Sequence, residues 1–384
     1  MITRVYWNLW KHSRLAVALL AIFAIIGIIA VESFKVKKEQ PYFKKKINAA
    51  KLAERGFQTL RPDLLKKKKP DYKDLDPANS GLVGEFLSPV TSNTGSLSSK
   101  QTSVNPNFAA VLVHLMKKAK LEEGDTVAVA ISGSFPALNI CLFAALETMK
   151  LKPVVISSTS ASQFGANHSH MLWLDMERIL EEESIFSTRS SYASLGGTQD
   201  KAIGMSAEGK NLLLASIKRN KVNYLDPSSF EDSILQRMDL YQKLSMGKPI
   251  KAFINIGGGT TVLGTSLGKQ VFKSGLISQL PDDVNPPDSV IKEFLQKDIP
   301  VINIIQVESL ARKFGLPVAP KKTPKPGEGK VFIQEEYNPT ICLFVLFILS
   351  VGLYGVTKLG WGQNPIDFQL PETIRGNQNT REKA

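Results

Sequence analysis

The sequence predicts an α/β domain, a mainly parallel sheet with helices on both faces in a Rossmann-like three-layer arrangement, flanked by two transmembrane helices. Short β-branched or apolar runs alternate with helical stretches through the middle of the chain, the pattern of parallel βαβ units. Two uncharged apolar runs bracket that middle. With only two cysteines, Cys141 in an expected core helix and Cys342 in the second apolar run, no disulfide framework is available. The domain must therefore rest on an apolar core, which about 230 residues suffice to build.

Residues 1–14 form a short N-terminal tail. Leu15 to Val31 (LAVALLAIFAIIGIIAV) is free of charge and reaches the roughly 17–25 residues that cross a bilayer. No small-x-small pattern follows Ala30, so the run is expected to stay as an anchor rather than leave as a signal peptide. Residues 32–75 are charged, with helical spacing over Ile47 to Leu60, and read as a stalk ending at Lys66–Lys69 and Pro70. The α/β domain is expected over 76–318. Its first segment, 76–107, is rich in Ser, Thr, Gly, Pro and Asn and reads as irregular.

A helix over Phe108 to Lys120 places Ala109, Val111, Leu112, Leu115 and Met116 on one face. Strands are expected at Val127–Ile131, Val154–Ile156, Tyr192–Leu195, Ala252–Ile256 and Val301–Ile305. Helices lie between them at Pro136–Met149, Met171–Glu183, Glu208–Asn220 and Glu231–Leu244, the last behind a Ser228-Ser229-Phe230-Glu231 capping box. Residues 319–339 are a Pro- and Lys-rich linker. Thr340 to Val356 (TICLFVLFILSVGLYGV) is apolar on every face, as a second span requires, with Tyr337 and Trp361 at the interface levels. Gly352 and Gly355 make no dimer motif. A polar tail, 357–384, follows.

The formal net charge of +13 is concentrated in Lys35–Lys46 and Lys66–Lys69, beside the spans, where anionic headgroups attract about 1 kcal/mol per charge. Aromatic residues are not interleaved with these lysines as single-strand binders require, so nucleic acid is set aside as a partner and the lipid bilayer is retained. Both termini fall on one side of a two-pass inner-membrane protein. Lys and Arg near the spans number 11 on the central side against 5 on the terminal side. A long domain translocates largely regardless of charge, however, and the sequence leaves the side of the centre undecided.

In a parallel sheet, ligands bind at the carboxyl ends of the strands. Four loops expected there are built from small residues: Ser132-Gly133-Ser134-Phe135-Pro136, then Ser157 through Ser162, then Gly196-Gly197-Thr198-Gln199-Asp200, then Gly257-Gly258-Gly259-Thr260-Thr261. Such loops let backbone N–H groups approach a ligand, and helix N-termini behind them favour negative charge. The expected ligand residues are Ser132, Gly133, Ser134, Ser157, Ser158, Gly196, Gly197, Asp200, Gly257, Gly258 and Gly259, with an anionic small molecule or polymer end as the ligand. Turn formation and helix capping account for any one of these loops equally well.

No phosphate loop, G-x-G-x-x-G or G-x-S-x-G elbow occurs, and the motifs point to no particular cofactor. His168 and His170 with Asp175 and Glu177 match no metal-ligand spacing, so no metal site is expected. Asp175 and Glu177 point about 200° apart on a helix, so they cannot share a site. Asp175, among Leu172, Trp173, Leu174 and Met176, is either a cap or a site residue. As an enzyme the chain would use Ser132 or Ser134 as nucleophile, with His168 the one base placed to reach them.

Taken as a set, five segments resemble the poly-gamma-glutamate system protein family over about residues 80–320. They are Thr102 to Ala110 (TSVNPNFAA), Ser132 to Leu138 (SGSFPAL), Gly165-Ala166-Asn167 with Trp173 to Glu177 (WLDME), Gly196-Gly197 with Asp200, and Phe253 to Gly258 (FINIGG). The resemblance adds Asn167 to the expected ligand residues. It implies a membrane-anchored accessory of poly-gamma-glutamate synthesis or export, working beside the membrane proteins that make and export the polymer. It brings no assigned chemistry. Departures are the second span and Lys201-Ala202 after Asp200, where a glycine is expected close by.

Overall fold

A strand buried on both faces has to be apolar at consecutive positions, and Thr126–Ser132 (TVAVAIS) is buried at every one. The computed structural model describes residues 14–66, 72–281 and 284–359. In chain order these form α1 (Arg14–Ser33), β1 (Val36–Glu39), α2 (Phe43–Leu65), α3 (Tyr72–Leu75), α4 (Leu97–Ser103), α5 (Phe108–Lys118), β2 (Thr126–Ser132), α6 (Pro136–Met149), β3 (Lys152–Ser158), β4 (Asn167–His168), β5 (Met171–Leu172), α7 (Trp173–Glu182) and β6 (Ser190–Ser194). Then come α8 (Ala207–Arg219), β7 (Asn223–Tyr224), α9 (Phe230–Leu244), β8 (Ile250–Ile256), α10 (Thr260–Leu263), α11 (Ser266–Val271), β9 (Gly275–Ile277), α12 (Val290–Gln296), β10 (Val301–Ile304), α13 (Val307–Lys313), β11 (Ile333–Glu336) and α14 (Pro339–Thr357).

Seven strands form one sheet in the order β7-β6-β3-β2-β8-β10-β9. Every neighbouring pair is parallel except β9 with β10. Along β2, Val127, Val129 and Ile131 join the core built with α2, α5, α6 and α7, while Ala128 and Ala130 join a second core with α9 and α12. This period-two alternation is how the strands cover both faces with helices. The chain runs outward from β2 through β3, β6 and β7, then returns to set β8 and β10 on the other side. Strand order reverses between β2 and β8, and an open sheet leaves a crevice outside the carboxyl ends at that point.

All five expected strands are present; β7 and the antiparallel β9 were not expected from the sequence. Helix α7 begins at Trp173 rather than Met171, because Met171 and Leu172 pair antiparallel with His168 and Asn167. The cap of α9 is shifted by one residue from the expected box: the Ser229 hydroxyl accepts from Asp232 N, and Asp232 reaches back to Ser228 N. The 76–107 segment is irregular apart from α3's successor α4, which Ser96 caps.

The expected stalk is a correction. The compact α/β unit spans Glu39–Gln334 rather than 76–318. Ala49, Ala50, Ala53, Phe57 and Leu60 of α2 are buried in its larger core, because small alanines let α2 lie close on α5 and α6. Lys46, taken from sequence as a headgroup-facing lysine, is buried and donates to the Val331 carbonyl at 2.8 Å; burial lowers its pKa to about 8. The expected linker is also partly docked: Asn107 Nδ2 donates to the Lys325 carbonyl, Asn107 Oδ1 accepts from Gly327 N, and Thr102 Oγ1 accepts from Ala319 N.

The second unit contains α1 and α14, each long and apolar enough to cross a membrane, with only 6% and 11% of their apolar windows buried. At 20 and 19 residues they rise about 30 Å, the thickness of a hydrocarbon core. They pack on each other through glycines: a Cβ on Gly27 would lie 2.6 Å from Val345 Cγ1, and one on Gly352 would lie 2.7 Å from Leu20 Cδ1. Gly352 thus serves a helix contact within the chain. The tails 1–13 and 360–384 and the lysines at 67–69 lie outside the described residues.

Candidate functional site

The β2–α6 and β8–α10 loops meet where strand order reverses, and with the 92–100 and 158–162 segments they enclose a crevice of about 290 Å³. Parallel pairing sets Ser132 beside Ser158, so two hydroxyl-bearing strand ends open on it together. Of the expected ligand residues, Ser132, Ser134, Ser158, Gly197, Asp200, Gly258 and Gly259 line this space. The 14-residue α6 starts at its wall, so the positive end of the helix dipole faces inward.

The remaining candidates are not in the crevice lining. Gly133 donates its N–H to the Ser158 carbonyl, and its missing Cβ leaves room for the Thr159 and Ser160 carbonyls at about 3.2 Å. Gly196, at φ +76°, lets the chain pass Ser160 and Ser158; a Cβ there would lie 2.7 Å from Ser160 Oγ. Gly257 donates its N–H to Ile304 O and has φ +103°. Ser157 is fully buried against Ser190. Both ends of the Asn167 amide are spent on the Glu85 backbone, and its Nδ2 also meets Thr91 Oγ1. These five residues shape the loops that form the crevice.

Asp175 is a cap, the first of its two expected alternatives. Its carboxylate accepts from Leu172 N, Arg219 and Asn220, and it stands outside the crevice. Glu177 faces the other way, as the helical angle requires, and accepts from Ser190 N at 2.6 Å. Burial raises its pKa to about 7 against the lowering influence of Arg189. His168 also lies elsewhere: with His170, Glu85, Phe86 and Met171 it lines a mainly apolar cavity of about 490 Å³ that shares no residue with the crevice. It is not placed to serve as base for Ser132 or Ser134. Those hydroxyls accept instead from the Ser134 and Ser162 N–H groups, respectively.

Asp200 is the one acidic residue in the lining, and it is already neutralised. Arg237, 1% exposed, donates to it through Nε at 2.8 Å and Nη2 at 2.6 Å, and Ser194 and Ser233 hydroxyls complete its shell. Two lysines in the crevice have no such partner among the described residues. Lys100, 2% exposed, donates to the Ser134 carbonyl and to Ser162 Oγ at 2.8 Å, and its ammonium lies 3.8 Å from the Phe135 ring centroid. No carboxylate is within ion-pair distance of it among the described residues, and burial lowers its pKa to about 7. Lys269, on α11, is exposed and lies against Gly258, whose imagined Cβ would be 3.4 Å from Nζ.

Several polar groups of the lining residues have no partner. The buried hydroxyls of Ser160 and Thr261 have no hydrogen-bond partner, and the N–H groups of Gly258 and Gly259 find none among the described residues. Sequence reading missed Lys100 because a lysine in the polar run Ser98-Ser99-Lys100-Gln101-Thr102 looks solvated. It turns inward because Ser96 caps α4 and Ser99 binds Glu308 of α13, which leaves Lys100, Thr102 and Ser103 on the buried side. Ser160, Ser162, Thr261 and Lys269 were equally unassigned, although three of them lie in loops noted for their small residues. No family model, no curated protein and no solved structure matches this chain.

Proposed function

We propose that the protein is a two-pass membrane protein whose Rossmann-like domain binds an anion, as an accessory of poly-gamma-glutamate synthesis or export. The observation that carries the binding reading is the crevice's charge balance: two lysines without carboxylate partners against one aspartate that Arg237 neutralises. Burying an ammonium without a counter-ion is costly, so an incoming carboxylate or phosphate gains what the empty site lacks. The Gly258 and Gly259 N–H groups supply hydrogen bonds that such a ligand needs. Two helices long and apolar enough to span support the membrane assignment. The polymer pathway rests on the resemblance of the sequence segments.

Calorimetric titration of the detergent-solubilised full chain tests the binding reading, with a γ-linked glutamate oligomer and inorganic phosphate as probes. Lys269→Met should weaken binding by about tenfold or more, the scale of a charge-assisted hydrogen bond. Binding of neither probe, or equal binding by wild type and Lys269→Met, would leave a scaffold without a ligand. For the pathway, deleting the gene should lower surface poly-gamma-glutamate while the polymer ligase remains present, and unchanged polymer would refute that assignment.

A further inference from the structure

The contact between Lys100 and Ser162 has chemical consequences that anion binding alone does not use. Ser162 is half-buried with its hydroxyl in the crevice lining, and Lys100 sits behind it, out of solvent, with Nζ 2.8 Å from Oγ. The pair is held in place. Ser162 N donates to Ser134 Oγ and Gln163 N donates to Asn93 O, which fix the loop, while the Ser134 carbonyl and the Phe135 ring hold the lysine.

The geometry points to Ser162 and Lys100 as a nucleophile and its general base for acyl transfer from an anionic amide or ester. A hydroxyl within about 2.6–3.2 Å of a base is the arrangement activated serine needs, and serine–lysine pairs without histidine are one form of it. An ordinary lysine is protonated near neutrality and cannot accept a proton; burial lowers the pKa of this one to about 7, so near neutrality a share of it is free to accept a proton, and no carboxylate among the described residues holds that proton. The charged groups around it are Asp200, tied to Arg237, Lys269 on the far wall, and Glu308, which reaches Ser99 of the same helix.

In the first step the Ser162 Oγ–carbon bond forms to the acyl carbonyl as the Lys100 amine takes the hydroxyl proton. Collapse of the adduct breaks the carbon–nitrogen or carbon–oxygen bond, and the leaving group departs with the proton from Lys100. Water then attacks the Ser162 ester, giving up a proton through Lys100, and releases a carboxylate with the free serine. Lys269, Gly258 and Gly259 share this lining and would receive a further carboxylate of the same substrate, so the substrate class rests on the anion-binding reading.

The test treats the detergent-solubilised full chain with an alkyl fluorophosphonate, which phosphonylates an activated serine with loss of fluoride, and locates the adduct by peptide mass. The expected result is one adduct on Ser162, forming faster as pH rises through about 7. Ser162→Ala should remove it while weakening binding of the glutamate oligomer no more than several-fold. Lys100→Arg, whose guanidinium cannot act as base, should slow labelling about 10²- to 10⁴-fold and still bind the oligomer. No adduct on folded wild type, or the same adduct rate in Lys100→Arg, would overturn the catalytic pair. Loss of oligomer binding in wild type would instead overturn the anion reading, whatever the labelling shows.

Discussion

Replacing Lys100 by Met should stabilise the protein at pH 6. Met keeps most of the apolar stem and removes the charge that has no partner. The folded-state pKa of about 7 lies 3.5 below the ordinary 10.5, and at about 1.4 kcal/mol per unit the buried ammonium costs folding about 5 kcal/mol below pH 7. Against that stand the lost hydrogen bonds to Ser134 O and Ser162 Oγ and the Phe135 ring contact, about 1 kcal/mol each. The net is about 2 kcal/mol in favour of the variant, or about 5 °C in melting temperature. The sign follows from linkage. A lysine whose folded pKa is depressed lowers stability fully below the folded value, and wild type recovers that stability as pH rises from about 7 to 10.5. The advantage of Lys100→Met should therefore shrink over that window and reverse at about pH 8.4, where the remaining cost of the charge falls to the roughly 3 kcal/mol of hydrogen bonds and ring contact that Met lacks. Glu177, with its pKa raised to about 7, makes both proteins less stable as pH rises from 4.5 to 7, and cancels in the difference. The assay is thermal unfolding of both full-length proteins in detergent between pH 6 and 10 without added anion. A variant less stable than wild type at pH 6, with the same pH slope, would show that the ammonium is already compensated and would remove the basis for an anion-seeking crevice.

Arg237→Ala should lower stability by about 3–5 kcal/mol, because it leaves the Asp200 carboxylate buried beside Ser194 and Ser233 without its cation; a loss under 1 kcal/mol in denaturant unfolding would show that Asp200 is not held by this pair. In the unit of α1 and α14, Gly27→Leu should force α1 away from Val345, so oxidative cross-linking between cysteines placed at Leu20 and Gly352 should fall sharply; unchanged cross-linking would mean the helices do not pack through these glycines. Alkaline carbonate should leave the full-length chain in the membrane fraction, and its release would refute both spans.

The sequence by itself determined what depends on neighbours in the chain. Uncharged apolar runs of spanning length marked α1 and α14, and the alternation of β-branched runs with helical stretches marked β2, β3, β6, β8 and β10. Small residues after β2 and β8 located the crevice, since a loop between a buried strand and a helix lies at the sheet's edge whatever packs around it. Tertiary structure alone decided which of those residues face the space. Ser157 and Ser158 are adjacent, yet the pleat buries one against Ser190 and opens the other to the crevice. Asp175 read as an acid among apolar residues and Asp200 as the end of a glycine-rich loop, but Arg219 and Arg237, from helices farther along the chain, hold them. Alanines spaced along a lysine-rich segment looked like a stalk until α5 and α6 supplied a surface for them. Lys100 was least legible of all: its lowered pKa comes from burial, and burial is set by the β2 and β3 loops and α13 closing around it, none of which its own segment specifies.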